Sequence, residues 1–146
     1  MDSPDYQATI AAEIPAEEAV RRIGQVPQWW TGGFTGGARA KGDRFTVRFG
    51  ETFVDFTVAE LEPGRRVVWE VTDCNLHWIA NKAEWKGTRV VWELSSKNGM
   101  TEVRMTHVGV FPGAECWESC KPGWDFYVGK SLRKLLAENV GLPDGE

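Results

Sequence analysis

The sequence predicts an α+β fold, a curved antiparallel sheet wrapped around a long C-terminal helix, with two short helices after the first strand. Three features carry this expectation. Residues 43–110 are almost entirely alternating strand text broken at hairpin spacing by turn signals. From Trp124 the hydrophobic period changes from two to helical. A sheet with one apolar face must be covered, and only the last helix is long enough to cover it.

In chain order, Tyr6, Ala8, Ile10, Ala12 and Ile14 share one face of a strand that Pro15 ends. The segment AEEAVRRIG follows, with Glu17 and Glu18 in a first turn, Arg21 and Arg22 in a last turn, and Gly24 at the stop. Pro27 to Trp30 reads as a second helical turn, and the glycines at 32, 33, 36 and 37 return the chain to the sheet. In phase are Phe45, Val47 and Phe49; Val54, Phe56 and Val58; Val67, Trp69 and Val71; and Val90, Trp92 and Leu94. Turns are expected at Gly50-Glu51, Pro63-Gly64, Lys86-Gly87 and Asn98-Gly99. The last strand puts Val103, Met105 and His107 inward. Trp124, Tyr127, Val128, Leu132, Leu135 and Leu136 form the apolar stripe of the final helix, which Gly141 and Pro143 stop. Lys121-Pro122-Gly123 predicts a break in helix just after Cys120. The tail after Leu142 is expected to be disordered.

With 146 residues the chain is expected to form a single domain over 1–146, with its ordered core at about 6–143. A net charge of −4 with interspersed signs argues against a nucleic-acid partner, which would need a basic face. No apolar run reaches the roughly 20 residues of a membrane span, and MDSPDYQAT lacks the marks of a signal peptide. A cytoplasmic protein is expected. Cys74, Cys116 and Cys120 are too few to staple a secreted fold, so reduced thiols are the default. Eight tryptophans and seven phenylalanines exceed what a core of this size needs, which points to a pocket.

Several motifs stand out: the stretch Gly42 to Gly64, the EW-x-GT hairpin at Glu84, Trp85, Gly87 and Thr88, and Thr106-His107 followed by Gly109. To these add the EC-x₃-C at Glu115, Cys116 and Cys120, and the GW-x-FY-x₃-SL-x₂-LL from Gly123 to Leu136. Together they resemble the START-like (SRPBCC) superfamily, in the branch named after the activator of heat-shock-protein-90 ATPase. The resemblance spans Tyr6 to Pro143 and implies a START-like helix-grip domain, with seven strands gripping the last helix around a cavity. The branch is functionally mixed, so the resemblance speaks to fold more than to activity.

The candidate cavity walls are Trp69 and Trp92 from the sheet and Trp124, Tyr127 and Val128 from the helix, with Trp30, Phe45, Phe49, Phe56 and Trp78 as further candidates. The competing reading for each ring is plain core packing. His107 is the titratable group on the apolar face: it could orient a polar ligand group, act as acid or base, or be a satisfied core histidine. Cys74, His77, Cys116 and Cys120 can be drawn as a Cys₃His metal set or, for Cys116 and Cys120, a disulfide, against the default of plain thiols. Asp55, Glu60, Glu70 and Glu93 alternate outward and form no acid/base dyad.

Binding of a hydrophobic or aromatic small molecule, as carrier, sensor or sequestering protein, is the leading expectation, with no cofactor. Relatives implied by the resemblance include polyketide cyclases and hydrolases, which would make His107 catalytic. The branch name implies a third reading, a co-chaperone acting on a chaperone partner.

Overall fold

Strand alternation and turn chemistry produce a single antiparallel meander. The computed structural model describes residues 4–143; the expected disorder after Leu142 falls mostly on residues outside that range. The elements run β1 (Tyr6–Ala12), α1 (Ala16–Ile23), α2 (Val26–Trp29), β2 (Phe34–Gly36), β3 (Arg44–Phe49), β4 (Thr52–Glu62), β5 (Arg66–Asn75), β6 (Arg89–Lys97) and β7 (Met100–Val108). A helix then fills the rest: α3 (Trp117–Phe126), a π-helical segment (Tyr127–Leu132) and α4 (Arg133–Glu138). The sheet order is β1-β7-β6-β5-β4-β3-β2, with all pairings antiparallel. Consecutive strands lie side by side from β2 to β7, and β1 closes onto β7.

Two register shifts in the β4–β5 ladder, between Asp55 and Phe56 and between Val58 and Glu60, supply extra bend where the sheet must curve. Asn98 and Gly99 both adopt positive φ, 54° and 80°, which matches the twist of the β6–β7 hairpin. The inward set is buried as the alternation predicts, including Val47, Val54, Phe56, Val58, Trp69, Val90 and Met105.

The final helix covers this face. Arg22 of α1 donates to the carbonyls of Leu135 and Leu136 at 3.0 and 3.1 Å, tying α1 to the last turn of the final helix. Ser131 is buried in the π-helical segment; its hydroxyl donates to the Trp29 carbonyl at 2.6 Å and accepts from the Leu142 N–H at 2.8 Å. The Tyr6 hydroxyl donates to Asp125 at 2.6 Å, tying β1 to α3.

Four local expectations are corrected. Pro122 does not break the helix but lies inside α3. It is exposed, so water can reach the Glu118 carbonyl that Pro122 cannot bond. The helix ends at Asn139, in left-handed conformation with φ 63° and its N–H on the Leu135 carbonyl, ahead of Gly141 and Pro143. Lys86-Gly87 is not a tight hairpin: β5 and β6 are joined by the whole 76–88 connection, of which EW-x-GT is the last part. Cys74, which the sequence places in a loop able to approach Cys116 and Cys120, lies near the end of β5.

Candidate functional site

The site is built by the 76–88 connection, which is tied to the start of α3 by two carboxylates working in opposite directions. Glu84 accepts from the N–H groups of Glu115 and Cys116 at 2.7 and 3.0 Å, just ahead of the first turn of α3, where N–H donors lack partners. Glu115 accepts in return from the N–H groups of Ala80 and Asn81 at 2.6 and 2.9 Å. Those two donors hold the Glu115 carboxyl below the ordinary carboxylate range. Lys82 gathers the connection by donating to the carbonyls of His77 and Ile79. The indole of Trp78 donates to Ser119 at 2.6 Å, and that of Trp85 to the Cys116 sulfur at 3.3 Å.

Between this clasp and the open end of the sheet lies an apolar cavity of about 300 Å³. Its rings are Trp30, Phe49, Trp78, Trp85, Trp124 and Tyr127. Thr52, Val54, Leu76, Ser119, Cys120 and Gly123 complete the lining, so among the described residues no charged side chain faces the interior. Trp85 and Trp124 stack nearly parallel, with centroids 6.0 Å apart and planes at 6°. Trp30 meets Trp124 at 4.9 Å and Tyr127 at 6.5 Å, dividing the cavity from the core behind it. The volume is at the lower end of small-molecule sites, and the apolar, ring-rich lining is typical of them. A larger depression of about 680 Å³ between α1, α2 and β2, rimmed by Arg21 and Arg39, is polar and offers little apolar area to bury.

His107 sits behind this wall. The Trp124 indole N–H donates to Nδ1 at 3.1 Å, which requires a lone pair there and places the ring proton on Nε2. Nε2 meets the Thr88 hydroxyl at 2.9 Å, and that hydroxyl donates to the Trp85 carbonyl at 2.6 Å. Both ring nitrogens are therefore occupied. Complete burial brings the His107 pKa down to about 3, so the imidazole is neutral. Gly109 allows the approach, since a Cβ there would stand 2.7 Å from the Thr88 methyl.

The rings expected as walls divide into two groups. Trp30, Phe49, Trp78, Trp124 and Tyr127 line the cavity. Trp69, Trp92, Phe45 and Phe56 are buried in the core instead, and Val128 is buried on the helix side. The reason is Trp29, which stacks on Trp69 at 6.5 Å and meets Trp92 edge-on at 5.8 Å, filling the space those rings would have walled. Trp85, Cys120 and Ser119 were not singled out as walls. EW-x-GT and EC-x₃-C were the signals that could have found them, because these two motifs meet in the clasp.

The Cys₃His set does not assemble. Cys116 and Cys120 are joined as a disulfide, Cys74 is buried with its thiol toward the Lys82 carbonyl, and His77 is exposed beside Glu51. Among the described residues no group of metal-ligating side chains comes together. Among the same residues no helix is long and apolar enough to cross a membrane.

The sequence model of the family described as activator of Hsp90 ATPase homolog 1-like protein matches residues 18–137, and the chain belongs to that family. No curated protein matches the sequence. Among solved structures, the Aha1 dimer from Colwellia psychrerythraea is similar over 94% of this chain and 98% of that one, with TM-score 0.76 and 23% identity. MLL2253 from Mesorhizobium loti is similar over 90% of this chain and 96% of that one, with TM-score 0.69 and 22% identity. DynU16, a protein of the dynemicin biosynthetic locus, shares TM-score 0.71 and 20% identity, with 96% of this chain covering 49% of that one. Identities this low establish the shared helix-grip fold alone.

Proposed function

We propose that this family member binds an uncharged, largely aromatic small molecule in the cavity between the clasp and the last helix. The lining carries the reading: six rings around about 300 Å³ with no charged side chain among the described residues. Apolar area removed from water on both partners supplies the affinity, and ring faces supply the shape. Such a ligand needs no counter-charge and gains little from a carboxylate or phosphate.

The cyclase or hydrolase reading gave the chemistry to His107. Its two nitrogens are engaged by Trp124 and Thr88, and neither points into the cavity, so the geometry favours His107 as the group that fixes the Trp124 wall. Action on a chaperone ATPase follows from the family's description and from no feature of the cavity.

The test is a two-dimensional amide NMR titration against fatty acids, sterols, flavonoids and aromatic polyketides, read at the tryptophan indoles. Saturable shifts at Trp30, Trp78, Trp85 and Trp124, with Trp69 and Trp92 much less moved, are expected for flavonoids or aromatic polyketides. No shift with any compound would overturn the reading and favour a protein partner.

A further inference from the structure

The Cys116–Cys120 disulfide stands where the clasp and the cavity meet, and its two sulfurs have different surroundings. Cys116 is fully buried just before α3; its backbone N–H is held by Glu84 and its sulfur accepts the Trp85 indole N–H at 3.3 Å. Cys120 retains some exposure, 6%, and lines the cavity. The cavity is therefore the approach to Cys120, and an N–H donor stands beside the Cys116 sulfur.

We propose that Cys116 and Cys120 form a thiol–disulfide exchange site that opens through Cys120 onto the cavity, and that its redox state sets the cavity's affinity. The partner is a dithiol reductant. Its thiolate attacks Cys120 Sγ, a mixed disulfide forms as the Cys116–Cys120 bond breaks, and the electron pair leaves on Cys116 Sγ. The Trp85 N–H stabilises that sulfur until it takes a proton from water. The second thiol of the reductant, after losing its proton, displaces Cys120, which is protonated in turn. Two electrons have then passed to the protein, and the reductant is released as its own disulfide.

Reduction changes the wall. Bonded sulfurs lie about 2 Å apart, and unbonded ones must separate to van der Waals contact. Cys116 is enclosed by Trp85 and the start of α3, so the movement falls on Cys120, toward the cavity. The reduced cavity is smaller, while the Trp85–Cys116 contact is kept. An atom-sized intrusion into an apolar site changes affinity by about tenfold.

The affinity effect rests on the cavity reading, whereas the exchange chemistry does not. The full chain is equilibrated with oxidised or reduced dithiothreitol, quenched, unfolded and alkylated with iodoacetamide, and the alkyl groups are counted by mass. With three cysteines and one disulfide, one group is expected in the oxidised form and three in the reduced form. The neutral fluorophore N-phenylnaphthylamine should bind the oxidised form about tenfold more tightly. In the folded protein, Cys120 of Cys116→Ser should react with iodoacetamide at least about tenfold faster than Cys116 of Cys120→Ser. Three groups under both conditions, equal affinities, or faster labelling of Cys116 would overturn the proposal. Fluorophore bound by neither form would overturn the cavity reading, and the thiol count with the labelling rates would then decide the exchange site.

Discussion

Replacing His107 with leucine should make the protein less stable at neutral pH and no less stable near pH 5. At neutral pH the variant removes the acceptor of the buried Trp124 N–H and the partner of Thr88, and an unsatisfied buried donor costs about 2 kcal/mol. The wild type carries a different liability. Its imidazole resists protonation until about pH 3, whereas the unfolded chain takes up that proton near 6.5. The unfolded state therefore binds more protons throughout that window, and stability is lost as pH falls through it, by about 1 kcal/mol per pH unit once well below 6.5. By pH 5 this amounts to about 2 kcal/mol, the same size as the lost hydrogen bonds. Carboxylates titrate in both proteins and cancel in the difference. Urea unfolding followed by tryptophan fluorescence at pH 7, 6 and 5 should show the two stabilities converging. A difference that stays constant with pH would mean that His107 takes up its proton equally in both states, and that it is not a sealed neutral strut.

Two further substitutions separate packing from binding and test the helix. Trp92→Ala should cost about 3–5 kcal/mol of stability yet change the Kd for a cavity ligand by no more than about twofold, because Trp92 lies outside the lining. Trp124→Ala should weaken the same ligand by about tenfold or more, and equal losses in the two variants would refute the division drawn by Trp29. Pro122→Ala should stabilise the protein by about 1 kcal/mol or more, by giving the Glu118 carbonyl an N–H partner within α3, and a lower thermal midpoint would show that the proline is favoured there.

The strands were legible because inward residues recur with a period of two, from Tyr6 to Ala12 and again from Val103 to His107, even though Val68 and Val91 are buried on the other face, and because turn residues such as Asn98-Gly99 stand between them. The grip helix was legible from Trp124 onward for the same reason. What periodicity could not show was the continuation of that helix back through Pro122 to Trp117, since a proline reads as a stop unless its neighbours are known to be solvated. Nor could it show the π-helical segment: Tyr127, Val128 and Leu132 keep an apolar stripe whether the turns are α or π.

The site was harder, because burial and cavity lining draw on the same residues. Trp69 and Trp92 lie on the inward face of the sheet, just as Phe49 does, and alternation assigns all three alike. They are separated by Trp29, a residue on a four-residue helix far away in sequence, which packs against the first two and leaves Phe49 at the cavity. Glu84 and Glu115 pose the opposite problem. Each looks like a solvated surface charge on its own stretch of chain, and their role exists only when Glu84 reaches the backbone of Glu115 and Cys116 and Glu115 reaches that of Ala80 and Asn81. Yet the two motifs that contain them stood out in the sequence, as EW-x-GT and EC-x₃-C. In each motif the glutamate stands next to the residue that builds the wall or the disulfide, Trp85 or Cys116. The clasp therefore fixes the backbone on both sides of the Trp85–Cys116 contact, and its loss would move cavity wall and disulfide together.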